Sequence, residues 1–408
     1  MKKISVIGAG FAGLSLSLRL AQKGFEVDIY EKGARVGGLI GTDKNQYGLA
    51  EQAANSMIRT ANAEALFKDI GLTPLSALES SKKRFIFREK PRPWPLYFSE
   101  TVQFIGKLVF NLLRGKKNLS PRENETLQSW GYRIIGAPAT QFILSPGMQG
   151  IYGNATDELS ASLILGPLIN RKKKDKSQPQ YKGIMTGPEG MQDVIDRLEA
   201  KLKDLGVRIH LNSNIKVSEL KGPVVVATSA QSASEILKSS HAEIAARLSR
   251  IQMTSLMSVT VYFSKSQNTY PGFGCLIPRY YGLKALGILM NSYIFAGRDK
   301  TYSETWIFGG AHDTSILDMS DAEVLKTIAT ERFRILGNKE ALLDYRIFRW
   351  RNALPFYNIE LEKTLKDLSA QKLPEGLFLH GNYLGGIGLS KILERGDKLA
   401  EEIASRYV

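Results

Sequence analysis

The residues of this chain best suited to chemistry are three glycines and one acid. Gly8, Gly10 and Gly13 have the spacing G-x-G-x-x-G, with Phe11 and Ala12 between the last two, and Glu31 follows at the end of a second apolar run. Gly8 permits a tight turn, Gly10 lets the backbone approach a pyrophosphate, and Gly13 lets a helix pack closely on the preceding strand. The diphosphate then meets a helix N-terminus, where free N–H groups and the helix dipole favour an anion. Glu31 stands where a carboxylate accepts bonds from ribose hydroxyls. The pattern predicts a bound dinucleotide, and the chemistry would be that of a cofactor. Other chemistries find little support. The four histidines lack H-x-x-H or H-E-x-x-H spacing and Cys275 is the single cysteine, so no metal site is expected. No Ser-His-Asp set or pair of catalytic carboxylates stands out either.

The elements that must position these glycines are legible around them. Ile4 to Ile7 is a β-branched run suited to a buried parallel strand, Leu14 to Leu20 has apolar residues at helical spacing, and Phe25 to Tyr30 is a second strand. A helix is expected near Asn62 to Ile70, and a short alternating strand at Arg84 to Arg88 before the turn-rich Lys90 to Pro95. A helix-rich, basic stretch runs to about Leu168, with Ser120 read as an N-cap before Pro121. Arg171 to Pro179 reads as an exposed charged loop. An amphipathic helix from Met191 to Leu205 precedes strands at 207–211 and 223–228 that return to the nucleotide sheet. Residues 255–350 alternate in a β-rich way around one helix, and a strand at 376–382 enters a glycine-rich turn and a last helix. The expected fold is α/β: a Rossmann-type cofactor domain assembled from residues 1–83, 187–254 and 351–408, a helical basic insertion at 84–186, and a β-rich substrate domain at 255–350.

Composition, with 43% hydrophobic and 23% charged residues, is that of an ordinary globular protein. The lone cysteine fits a reducing compartment, and the chain opens on its first strand, so a cytoplasmic protein without a leader peptide is expected. The net charge is +15, and the segment Lys82–Lys182 holds 18 Lys and Arg against 7 Asp and Glu. Such a segment suits either an anionic membrane surface, making the protein peripheral on the inner face, or a polyanionic small molecule. On the membrane reading, Trp94, Leu96, Phe98, Phe104 and Val109 form the apolar face of an interfacial helix. No nucleic-acid-binding motif accompanies the charge, so nucleic acid is not expected as a partner.

After Glu31, the turn Lys32-Gly-Ala-Arg35-Val-Gly37-Gly38-Leu39 resembles the one by which many flavoproteins carry the chain around FAD. Over nearly its whole length the chain resembles the oxygen-dependent porphyrinogen oxidases, the FAD family of protoporphyrinogen oxidase and the bacterial coproporphyrinogen oxidases. The resemblance is carried by Lys83–Arg88, by Gly150–Ser160, by Phe273–Pro278 with Gly282–Gly287 and Ser292–Arg298, and by Gly381–Leu389. It implies that FAD is held by the first glycine turn (Gly8, Gly10, Phe11, Ala12, Gly13) and by Glu31 with Lys32. It adds Arg35, Gly38 and Leu39, the turn at Ala54 and Asn55, Ile215 beside the adenine, and Gly381, Ile387, Gly388 and Leu389 near the isoalloxazine. It further implies that Leu276, Leu289 and Phe308 face a macrocycle and that Arg84 holds a propionate. The backbone at Gly153 and Asn154 would assist proton removal, although the family usually carries glycine where this chain has Asn154.

The activity so implied is oxidation of protoporphyrinogen IX to protoporphyrin IX in haem biosynthesis, six electrons in three cycles, with molecular oxygen giving hydrogen peroxide. Oxidation of coproporphyrinogen III to coproporphyrin III stands beside it. The implied partners are the porphyrinogen, oxygen, a ferrochelatase-type enzyme of the same pathway, and a second copy in a homodimer. Two other readings stay open. A flavin amine oxidase or carotenoid desaturase shares the N-terminal motif but not the Phe273–Arg298 succession, and a non-catalytic flavoprotein that binds or delivers a tetrapyrrole is kept in view by Asn154.

Overall fold

A computed structural model describes residues 2–169, 181–264, 268–311 and 313–407. The charged loop expected at Arg171 to Pro179 lies outside the described residues. Strand Lys3–Ile7 is the centre of a five-stranded parallel sheet, in the order Arg208–His210, Glu26–Tyr30, Lys3–Ile7, Val224–Val226, Leu377–Leu379. Its β-branched residues are enclosed on both faces, as parallel strands between helical layers require. Helices Phe11–Gln22, Met191–Asp204 and Leu389–Tyr407 cover one face, burying Leu14, Leu18, Val194, Leu198, Leu393 and Ile403 in one core. On the other face, Ala230–Leu237 and Ala242–Leu248 pack against Val224 and Val226.

The approach of the first helix to the sheet leaves no room for a side chain. A Cβ on Gly13 would lie 1.9 Å from the Gly8 carbonyl oxygen, and Gly8 itself adopts φ +104°, a region that only glycine enters readily.

A second sheet of seven strands runs in the order Leu342–Pro355, Met253–Phe263, Tyr302–Gly309, Gly287–Leu289, Gly274–Leu276, Phe85–Arg88, Lys90–Arg92. The Phe85–Arg88 strand, placed by the sequence in the helical insertion, instead extends this sheet, because Phe85 and Ile86 pair with Cys275 and Leu276. One face is closed by helix Asp321–Leu336 over Phe87, Met257, Val259, Trp306 and Phe308. The opposite face receives the nucleotide unit. Arg346 donates to Asp43 at 2.7 Å, Asn45 to Asp344 at 3.0 Å, and Trp350 Nε1 to the Gln52 carbonyl at 2.7 Å, while buried Arg298 pairs with Glu51. The hairpin of strands Thr42–Asn45 and Gly48–Glu51, with Gln52 after it, is thus joined to the seven-stranded sheet along a polar seam.

Helices Phe98–Leu113, Leu127–Ile134, Ser145–Tyr152 and Ala161–Ile169 form most of the segment between the sheets. Arg88 fixes the start of the first of them: its guanidinium lies 3.9 Å from the ring centroids of both Tyr97 and Phe142 and bonds Glu100. Two expectations fail here. Ser120 caps no helix, since Glu125, drawn by Arg133, holds Arg122 N–H in a turn and the helix begins only after Thr126, whose hydroxyl accepts from Ser129 N–H. Leu96 is buried with Ile134, Ile135, Ala139 and Phe142 rather than lying on an exposed apolar face.

The glycine geometry gives a contrast between two helical positions. Gly13→Ala must push the first helix off the sheet and should lower stability by about 3 kcal/mol or more. Gly106→Ala, with nothing within 4 Å of its Cβ, should raise stability by about 0.5–1 kcal/mol. Thermal denaturation of the two variants beside the parent checks the opposite signs.

Candidate active site

At the nucleotide end, helix Phe11–Gln22 begins at Gly10 with no side-chain cap and no acid in its first turn. Its free N–H groups and positive dipole end therefore remain for a ligand anion. Gly38 closes over this turn: a Cβ there would meet Gly10 Cα at 3.2 Å. Glu31 is fixed at the strand end, with Oε2 accepting from Ala9 N–H and Oε1 from Gly33 N–H, both at 2.8 Å. Arg35 donates to the carbonyls of Val36, Ile40 and Gly38 at 2.9–3.1 Å, so it shapes the second glycine turn from behind. Lys32 is exposed, Leu39 and Ala54 are half-buried, and Ile215 lies half-buried against the core beneath the Val224–Val226 strand. Asn55 borders a small enclosed cavity with Glu51, Asn291 and Arg298. Burial raises the Glu51 carboxyl above its usual range while Arg298 opposes the rise. These features fit the diphosphate and ribose of a dinucleotide.

At the other end, the loop from Gly381 leads into helix Leu389–Tyr407 and is held from two sides. The buried Tyr357 hydroxyl donates to the Asn382 carbonyl at 2.7 Å and accepts from Gly386 N–H at 2.6 Å. From within the helix, Arg395 donates to the carbonyls of Gly381, Gly385 and Gly386. Beside them His380 is 1% exposed and its Nε2 has no partner. Burial, aided by the nearby Arg395 charge, pulls its pKa down to about 4.

The residues expected to face a substrate divide by sheet register. Leu276 pairs with Gly287, Gly287 with Ile307, and Ile307 with Ser258, while Leu289 pairs with Thr305. Since paired residues share a face and neighbours along a strand alternate, Leu276, Leu289, Thr305 and Ile307 lie together on the face that receives the nucleotide unit. Phe308 does not join them. It pairs with Met257, is fully buried beneath helix Asp321–Leu336 and stacks with Trp306 at 6.3 Å; the expectation is one residue out of phase. Helix Ser145–Tyr152 approaches the same face, since a Cβ on Gly150 would lie 2.6 Å from Leu276. Arg84 is exposed, its guanidinium 4.7 Å from the Phe273 ring centroid.

The backbone at Gly153 and Asn154 is engaged in packing. The Gly153 carbonyl accepts from Ala311 N–H at 3.3 Å and faces Gly310, where a Cβ would lie only 2.0 Å away. Asn154 is wholly buried, donating to the Tyr152 carbonyl and to Thr254 Oγ1 and accepting from Ala311 N–H. Sequence reasoning missed Ile307, Arg395 and the anchoring role of Tyr357. Alternation from Trp306 could have separated Ile307 from Phe308; nothing local in the sequence tied Arg395 to the loop.

Among the described residues no cluster of metal-ligating side chains occurs. The model of the flavin containing amine oxidoreductases matches residues 11–390. The chain is 24% identical to the mitochondrial protoporphyrinogen oxidase of Nicotiana tabacum, covering 99% of this chain and 95% of the relative. It is 23% identical to the coproporphyrinogen III oxidase of Bacillus subtilis (strain 168), covering 100% and 98%. A solved protein from Exiguobacterium sp. 255-15, named as a candidate protoporphyrinogen oxidase, superposes with a TM-score of 0.81 at 17% identity over 99% of both chains. The chain belongs to the flavin containing amine oxidoreductase family. It is an FAD-dependent oxidoreductase, and the fold is that of this flavoprotein class.

The buried imidazole gives a pH prediction. The folded-state pKa of His380 is depressed, so the unfolded chain takes up a proton as pH falls through about 6.5 while the folded chain resists until about pH 4. The associated stability is present above pH 6.5 and is lost across that window, by roughly 3 kcal/mol. His380→Gln should flatten the stability profile between pH 6.5 and 4 by about one proton, measured by chemical denaturation at several pH values.

Proposed function

We propose that this flavoenzyme oxidises protoporphyrinogen IX to protoporphyrin IX. The observation that carries the reading is the apolar face of Leu276, Leu289 and Ile307, turned toward the nucleotide unit. A large tetrapyrrole stacks well on such a surface. The exposed Arg84 guanidinium, with no hydrogen bond or ion pair among the described residues, suits a propionate at the rim. The names of the full-length relatives from Nicotiana tabacum and Bacillus subtilis support the same substrate class. The second of these, together with the basic segment, keeps coproporphyrinogen III as the alternative substrate, because four propionates profit more from positive charge than two.

FAD, when bound, supplies the two-electron acceptor that oxygen regenerates. The balance is one porphyrinogen and three oxygen molecules to one porphyrin and three hydrogen peroxide. The chain's own residues bind and orient: the aliphatic face holds the ring, Arg84 fixes its edge, and helix Ser145–Tyr152 shields the pocket from water. Purified protein supplied with each porphyrinogen in air should release porphyrin and peroxide in a ratio near one to three. Turnover of an amine with none of either porphyrinogen would contradict the reading. Arg84→Ala should raise KM several-fold with a smaller effect on kcat. Ile307→Asp should abolish turnover, whereas Phe308→Leu should chiefly lower stability, by about 1 kcal/mol.

The basic segment lies on an anionic lipid surface in this reading. No helix among the described residues is long and apolar enough to cross a membrane. Helix Phe98–Leu113 nevertheless exposes Phe98, Val102, Ile105, Val109, Leu112 and Leu113, with Phe98 86% and Leu113 82% exposed. Their spacing gives one apolar stripe, flanked by Trp94 and by Arg92 and Arg114. Vesicles containing anionic lipid should sediment the protein, and neutral vesicles should do so more weakly. The double substitution Phe98→Ser with Leu113→Ser should reduce the bound fraction about tenfold without changing the fold.

A further inference from the structure

Arg395, which is partly buried, differs from the buried or partly buried Arg88, Arg133, Arg298 and Arg332. Arg88 is matched by Glu100, Arg133 by Glu125, Arg298 by Glu51 and Arg332 by Glu304. Arg395 has no carboxylate within ion-pair distance among the described residues. The neighbouring Glu394 is taken by Lys391 and Lys398; the titratable groups that act on the Arg395 charge are the buried Tyr357, then Glu394 and the buried Tyr383, and the charge in turn acts on buried His380. Its donors go to backbone carbonyls, at 2.6 Å to Gly385, 3.2 Å to Gly386 and 2.8 Å to Gly381. Gly385 and Gly386 have φ of +128° and +108°, conformations that cost glycine little and leave the loop few local constraints. Arg35 does the same for the Gly37–Gly38 turn, so two of the three glycine turns of the proposed cofactor groove are set by a guanidinium bound to carbonyls.

We propose that Arg395 is a positioning residue that locks the Gly381–Gly386 loop for the flavin and, through its unneutralised charge, makes the bound flavin easier to reduce. A guanidinium always carries its proton in proteins, and its fork fixes several acceptors at once. Two-electron reduction adds negative charge to a flavin, and a fixed cation close by in partly dry surroundings favours the reduced form. The inference rests on the reading that the Gly381–Leu389 loop borders the isoalloxazine.

The test uses the holoprotein with Arg395→Met and Arg395→Lys. Three readouts are needed: FAD affinity by titration of apoprotein, midpoint potential by dye equilibration, and hydrogen exchange of residues 381–388 with and without FAD. In the parent, FAD should protect the 381–388 amides. Arg395→Met should weaken FAD binding about tenfold and shift the oxidised-to-reduced balance about tenfold toward oxidised flavin, about 30 mV for a two-electron couple. Arg395→Lys should retain most of the potential while losing part of the affinity, because it keeps the charge but not the fork. Absence of FAD protection in the parent overturns the inference through its placement of the loop. Protection with unchanged potential and affinity in Arg395→Met, even with lowered thermal stability, overturns it through Arg395 itself.

Discussion

The structure depends on the contact between Gly13 and the backbone of Gly8. With 1.9 Å between a hypothetical Cβ and the Gly8 carbonyl, the helix can sit on the sheet only if that position carries no side chain. The contact brings the N-terminus of helix Phe11–Gln22 to the mouth of the strand, leaves it uncapped, and sets the height at which Gly38 closes over Gly10. An anion site follows from the chain path alone, without a cationic side chain. Arg35 and Arg395 then stabilise the two glycine turns through carbonyls, so charge contributes to the groove mainly by shaping its backbone.

A second constraint is the division of labour between the faces of the seven-stranded sheet. The face under helix Asp321–Leu336 is filled with large apolar residues and the buried Arg332–Glu304 pair. The other face carries smaller aliphatic residues, the Trp350 bond to Gln52 and the Arg346 bond to Asp43. The polar bonds hold the cofactor unit against the sheet at one end, and Leu276, Leu289 and Ile307 lie on the same face. On the proposed reading, substrate and cofactor would both be referenced to one surface, which is the condition for precise orientation.

Much of this was legible in the sequence wherever the signal is local. The β-branched run at Ile4–Ile7, the glycine spacing and the acid at Glu31 define the nucleotide unit because they fall within one strand-helix-strand stretch of about thirty residues. The discontinuous return of Val224–Val226 and Leu377–Leu379 to the same sheet was readable for the same reason, as short apolar strands beside helix signals. Phe308 was misplaced because its face is decided by pairing with Met257 and by the register between Gly287 and Ile307, which no local pattern fixes. Leu96 departs from expectation for a similar reason: apolar spacing cannot distinguish a face covered by Ile134 and Phe142 from one left open. Ser120 had a good capping sequence, but Arg133 drew Glu125 into a competing arrangement.

In the proposed reaction a porphyrinogen held on the Leu276–Ile307 face would deliver its electrons to FAD bound in the glycine groove. Anaerobic mixing of the holoprotein with protoporphyrinogen, following flavin absorbance and porphyrin fluorescence together, tests it most directly. The account predicts bleaching of the flavin, with up to three flavins reduced for each porphyrin formed. A flavin that stays oxidised in the presence of bound protoporphyrinogen and coproporphyrinogen would contradict it.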